Sequence, residues 1–125
     1  MTEYVLKIEA CKDLFHQITD VLGVEPSKTD YAWELSIKEN EDVFTKAIPY
    51  FVSLIEHKRS ELEEIGITGS SVSVWLYKIY AGQCNMEFSP NEMRLLSDHD
   101  ITLCVSCWEE ANNDQGEKSS NSQQF

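Results

Sequence analysis

Apolar and polar residues alternate along this chain with two different periods, and the changes of period mark its elements. Over 4–10, Tyr4, Leu6, Ile8 and Ala10 fall on one side and Lys7 and Glu9 on the other, the period-two pattern of a half-buried strand. Leu14, Phe15, Ile18 and Leu22 then recur at helical spacing. Gly23 suits the left-handed position that ends a helix and Pro26 keeps it from resuming, so a helix is predicted over 12–22. Alternation returns over 31–37, where Tyr31, Trp33, Leu35 and Ile37 share a face. The polar run 38–42 reads as a turn, with Asp42 as a cap for the next helix. Phe44, Ala47, Ile48, Phe51, Leu54, Ile55, Leu62 and Ile65 form one stripe, predicting a long helix over about 43–65 that Gly66 ends. Pro49 lies inside this stripe and predicts a kink near 48 or a main helix that starts at Pro49, because proline removes a backbone donor and clashes with the preceding turn.

The stretch 71–80 is apolar on both faces, which predicts a central strand. Ala81 and Gly82 suit a tight turn into a fourth strand over 83–88, with Cys84, Met86 and Phe88 opposing Gln83, Asn85 and Glu87. Ser89, Pro90 and Glu92 have the spacing of a capping box with proline at the first helical position, and open a helix to about 97. A solvated turn at 98–100 leads to a last strand over 101–108. The order βαβ, α, ββαβ predicts an α+β two-layer sandwich: about five strands in a mixed or antiparallel sheet, with helices mainly on one face. Its two βαβ-like ends resemble each other in layout, which suggests a ferredoxin-like arrangement with an inserted helix. One domain is expected over 1–110. The polar run 111–125 is expected to be a disordered tail, since it has too little apolar surface to offset the entropy of ordering.

Composition narrows the chemistry. With 22 acidic and 10 basic residues the formal net charge is -12, which repels phosphate backbones, so nucleic acid and anionic membranes are poor partners and a protein with a basic surface is a good one. The N-terminal residues lack a basic segment followed by an apolar one, and no apolar run reaches the ~20 residues of a membrane helix, so a cytoplasmic protein, monomeric or weakly dimeric, is expected. Cys11, Cys84, Cys104 and Cys107 are expected to be free, buried thiols. Cys104 and Cys107 have C-x-x-C spacing, but in a strand positions i and i+3 face opposite sides, and no second Cys or His pair follows at zinc spacing. No metal or cofactor site is expected. His16, His57 and His99 have no Ser, Cys or His at catalytic spacing, and the chain lacks a phosphate loop, dinucleotide fingerprint and nucleophile elbow, so no catalytic set is expected.

The least ordinary feature is the aromatic and amide content of the strands. Trp33, Trp75, Tyr77 and Trp108 are large amphipathic groups, and Gln83, Asn85 and Glu87 form a polar row. Trp33, Trp75, Tyr77, Gln83, Asn85 and Glu87 are therefore a candidate ligand face; a solvated sheet face with core tryptophans has the same pattern. Glu61, Glu63 and Glu64 are a candidate acidic partner face on the long helix.

Ile18, Thr19, Leu22, Gly23 and Pro26 spell I-T-x-x-L-G-x-x-P, followed by Trp33 and Leu35 as W-x-L. With Val74, Trp75 and Leu76, the run 83–88 and the run 101–107, this pattern resembles a family of small bacterial proteins known only as a domain of unknown function. The resemblance covers most of 4–108. It implies a compact α+β domain and carries no activity and no functional residues. The residues themselves support two functions. One is a non-catalytic interaction protein, an acidic inhibitor or immunity protein that neutralises a basic partner such as a toxin. The other is a small-ligand- or peptide-binding domain that uses the aromatic and amide strand face.

Overall fold

The computed structural model describes residues 2–39 and 46–111. Four strands form one open mixed sheet: β1 (Thr2–Ile8), β2 (Trp33–Glu39), β3 (Val72–Tyr80) and β4 (Thr102–Glu109), in the order β2-β1-β3-β4. β1 is antiparallel to both β2 and β3, whereas β3 and β4 run parallel. Four helices accompany it: α1 (Phe15–Leu22), α2 (Ala47–Glu56), α3 (Arg59–Glu64) and α4 (Pro90–Asp98).

β1 and β3 are central, in line with the doubly apolar pattern of 71–80. The predicted fifth strand is not formed: 83–88 carries no strand pairing. The reason is that β3 has two edges and both are occupied, one by β1 and the other by β4. The alternation over 83–88 survives as an extended run, with Cys84, Met86 and Phe88 half-buried and Gln83, Asn85 and Glu87 exposed. The ferredoxin-like order is not found either. β1 and β2 are antiparallel neighbours, so the first βαβ-like segment is not a parallel crossover, and the one parallel pair, β3 with β4, is adjacent rather than split by another strand.

The strand register sorts the side chains. Tyr4, Leu6 and Ile8 stand level with Ile37, Leu35 and Trp33 on one side and with Leu76, Val74 and Val72 on the other, forming the inner face. Phe15, Ile18 and Leu22 of α1, Ile48, Phe51, Val52 and Ile55 of α2, Leu62 of α3 and Leu96 of α4 pack against it as one core. At ~25 cal/mol per Å² of apolar surface removed from water, this layer dominates the favourable side of folding.

The long helix is two helices. Ala47 starts α2, so Pro49 sits third in it, where its missing N–H is one of the donors that lack an intrahelical partner anyway. The chain breaks at His57 and Lys58 instead, and α3 resumes at Arg59. Of the predicted stripe, Ile48, Phe51, Ile55 and Leu62 are buried; Phe44, like Asp42, lies outside the described residues. The tail assigned to 111–125 falls outside them from 112 onward.

The local signals hold. Gly23 adopts φ 75° and donates its N–H to the Thr19 carbonyl at 2.8 Å, closing α1. The Ser89 hydroxyl accepts from the Glu92 N–H at 3.1 Å while the Glu92 carboxylate accepts from the Ser89 N–H at 2.9 Å, completing the capping box of α4. In the turn 98–100 Asp98 and Asp100 are exposed, as expected of a solvated turn, and His99 departs from it. His99 is half-buried, its Nδ1 lies 2.9 Å from the Leu95 carbonyl, its Nε2 lies 3.5 Å from a Glu56 oxygen, and its own carbonyl accepts from Arg59. This knot ties the α2–α3 break to the end of α4.

Candidate functional site

The four α-helices pack on the inner face, and among the described residues the outer face of the sheet carries no helix. Register assigns Glu3, Val5 and Lys7 of β1 to it, level with Lys38, Ser36 and Glu34 of β2 and with Tyr77, Trp75 and Ser73 of β3. β4 adds Cys104, Ser106 and Trp108, level with Trp75, Tyr77 and Ile79. Twist and side-chain size turn part of this face into a shallow depression of about 870 Å³, lined by Val5, Tyr77, Ile79 and Trp108 and rimmed by Glu3, Glu34, Ser36, Lys28 and Lys38. Val5 is buried at its floor, whereas Trp108 stays 49% exposed at its margin.

The aromatic groups are fixed by their neighbours. Trp75 and Tyr77 stack with ring centroids 5.7 Å apart at 14°. Lys7 Nζ lies 5.1 Å from the Trp75 ring, close enough for a cation–π attraction, and Trp75 Nε1 donates to the Ser73 hydroxyl at 3.2 Å. On the β2 side the Ser36 hydroxyl donates to the Glu3 carboxylate, and the Ser36 N–H donates to the Ser27 hydroxyl at 2.9 Å. The Glu34 carboxylate forms no ion pair among the described residues, so it is available to a cation. Burial raises the Tyr77 hydroxyl above its ordinary pKa, and the carboxylates of Glu34 and Glu3 raise it further, followed by Cys104. The field at that hydroxyl is therefore negative in spite of the nearby lysines, and it favours a positively charged group there.

The six residues of the predicted ligand face divide among three places. Trp75 and Tyr77 are on the outer face. Trp33 is fully buried on the inner face, where its Nε1 donates to the Thr19 hydroxyl at 3.0 Å. Gln83, Asn85 and Glu87 lie on the exposed side of the extended run; Asn85 and Glu87 border a small hollow with Tyr4, Leu76 and Lys78, on the helix side of the sheet. Gln83 donates to the Asn85 side chain at 3.3 Å, and Lys78 Nζ lies 3.4 Å from the Asn85 carbonyl. The amide row and the stacked aromatics thus do not converge. Glu61, Glu63 and Glu64 are exposed on α3, with Glu61 3.8 Å from Lys58.

Strand periodicity places Ile79 with Trp75 and Tyr77, but it does not select Glu3, Val5 and Glu34 as members of the outer face, because their signal is the pairing register. The cysteines differ from the buried thiols expected: Cys11 and Cys107 are exposed, and Cys84 and Cys104 half-buried. Cys104 and Cys107 take opposite faces of β4, Cys104 level with Trp75 and Cys107 level with Lys78. Among the described residues no group of three metal-ligating side chains converges, and no helix is long and apolar enough to cross a membrane. No family model, no curated protein and no solved structure matches the chain.

Proposed function

We propose that this chain is a non-catalytic interaction protein that docks a basic protein partner on the uncovered face of its sheet, in the manner of a small acidic inhibitor or immunity protein. The observation that carries the reading is the meeting, at one depression, of half-buried Tyr77 and Ile79 and exposed Trp108 with the carboxylates of Glu3 and Glu34, which form no ion pair among the described residues. A lysine or arginine side chain entering there meets the ring faces of Tyr77 and Trp108 and a carboxylate at once, and both interactions strengthen as water is displaced. Aromatic residues at such a centre supply most of the binding energy of a typical interface. The net charge of -12 adds steering at long range. The cytoplasm is the proposed site of action, which four thiols with no disulfide partner suit. Membership of the small bacterial family suggested by 18–26 belongs to the same proposal, and it assigns no site.

The test is capture of partners from the native host with wild-type bait and with two altered baits. Tyr77→Ala combined with Trp108→Ala should abolish capture of a basic protein while leaving the melting temperature near that of wild type. Charge reversal at Glu61, Glu63 and Glu64 should only slow association. A partner that is acidic, or one still held by the Tyr77/Trp108 double variant, would overturn the reading.

A further inference from the structure

Glu34 has two lysines in register and forms an ion pair with neither. Lys7 stands level with it on β1, but Lys7 Nζ lies over the Trp75 ring, 5.1 Å from its centroid. Lys28 is bridged to it through the backbone, but Lys28 Nζ turns to Asp30 at 4.0 Å. Glu3 stands level with Lys38 and with Tyr77, yet its carboxylate accepts from the Ser36 hydroxyl and has no ion pair among the described residues. Ser36 is the outward residue next to Glu34 on β2, about 7 Å away between Cα atoms at ~3.3 Å per residue. Two carboxylates are thus gathered one strand step apart beside Val5, which is buried at the floor. Trp75 stacks on the Tyr77 ring, and Tyr77 lines the depression with the surface that remains, beside Ile79 and Trp108.

We infer, resting on the docking function proposed above, that the group this depression takes from its basic partner is an arginine side chain, in preference to lysine. The two carboxylates are separate acceptors, one held at Ser36 and one a strand step beyond it. A guanidinium spreads five donors around a plane and can bond both at once, whereas an ammonium is a compact charge that sits at one. The floor and wall select in the same direction. The flat face of a guanidinium stacks on a phenol ring while its edge donates, and its weak hydration makes it the easier cation to bring over buried Val5. Its methylene stem covers Ile79 and leaves the charged head at the acids. The raised pKa of the Tyr77 hydroxyl, to which Glu34 contributes more than Glu3, places the field of both acids at that ring. The chain does not supply such a group to itself. Its two arginines are Arg59, which donates to the His99 carbonyl, and Arg94 on α4 in the helical layer. The residues outside the described ones hold a single base, Lys118.

The test titrates the full, isotope-labelled chain with N-acetyl-arginine amide, the corresponding lysine compound, and the citrulline one, which keeps the shape of arginine without its charge. Amide shifts are followed at about 0.05 M salt, where screening is weak. The arginine compound should shift the amides of Val5, Ser36 and Tyr77 saturably in the millimolar range. Lysine should bind several-fold more weakly, and citrulline should give no saturable shift. Glu34→Gln and Glu3→Gln should each weaken arginine binding several-fold with melting near that of wild type, while Glu61→Gln should not weaken it. Lys118→Gln should leave arginine binding unchanged. Equal binding of lysine and arginine would overturn the preference while leaving the docking function standing, because capture with the Tyr77/Trp108 double variant tests that function separately. No saturable binding of arginine, binding indifferent to Glu34→Gln, or shifts confined to α3 would also overturn it. A gain in arginine affinity on Lys118→Gln would make the chain's own segment 112–125 the occupant, and so overturn it as well.

Discussion

Trp33 shows at the scale of one residue why a tryptophan in a strand is ambiguous in sequence. Its indole belongs to the core, and its one polar atom is satisfied by Thr19, a bond that joins α1 to β2. That bond links the I-T-x-x-L-G-x-x-P pattern to the W-x-L pattern in physical terms. Ile18 and Leu22 are buried, Thr19 accepts from Trp33, and Gly23 supplies the left-handed turn. Thr19→Val should destabilise the fold by about 1–3 kcal/mol, the magnitude of a buried donor left unpaired, with Thr19→Ser recovering most of the loss in urea unfolding. Tyr77 makes a different demand. Its folded pKa lies above the ordinary 10, so the folded state holds the phenol proton more tightly than the unfolded chain. Its contribution is fully present at neutral pH and is lost as pH climbs from about 10 through the raised value. Phenol titration by ultraviolet absorbance, with Tyr77→Phe as the reference, should find the Tyr77 phenol ionising late, and Glu3→Gln with Glu34→Gln should bring that transition down toward its burial-only value.

At the scale of elements, the legible features are the local ones. The capping box of α4, the left-handed end of α1 and the alternation of β1 and β2 depend on residues a few positions apart, so spacing reveals them. Ser89→Ala should remove about 1 kcal/mol of stability by thermal melting and leave partner capture unchanged. The break between α2 and α3 is not legible, because the apolar stripe runs on to Leu62 and Pro49 draws attention to the wrong turn. The contacts that hold the break are tertiary: Arg59 donates to the His99 carbonyl on α4's far end, and its other terminal nitrogen, Nη1, is buried without a hydrogen-bond partner among the described residues. Arg59→Ala should therefore loosen the α3–α4 junction, seen as faster hydrogen exchange at 57–62 and 96–101 than elsewhere. The run 83–88 fails as a strand for a topological reason. Its alternation is genuine, but a ladder needs a free edge, and the competition of β1 and β4 for β3 is invisible to a local window. The candidate site is half legible by the same logic: Trp75, Tyr77 and Ile79 alternate within one strand, whereas Glu3 and Glu34 join them only through register.

For the whole molecule, charge and architecture divide the work. The acids of α3 stand on the helical layer and the aromatic depression lies on the opposite side of the sheet, so the proposed steering and docking would come from different surfaces. Replacing Glu61, Glu63 and Glu64 by lysine should lower the association rate with a basic partner several-fold and change its dissociation rate little, measured at about 0.05 M salt where screening is weak. Raising the salt should erase the difference between the variant and wild type.

The placement of the three tryptophans also makes the protein its own optical instrument. Trp33 is sealed in the core against Thr19, Trp75 lies between Lys7 and Tyr77, and Trp108 stands at the open margin. Their emission should therefore separate into a blue, unquenchable component from Trp33 and a red component, accessible to acrylamide, dominated by Trp108. A partner seated on the outer face should shield the second component and leave the first untouched, whereas unfolding moves the first. Trp108→Phe should remove most of the quenchable signal without shifting the melting transition that Trp33 reports, so recognition and folding can be followed separately, in one cuvette and without a label.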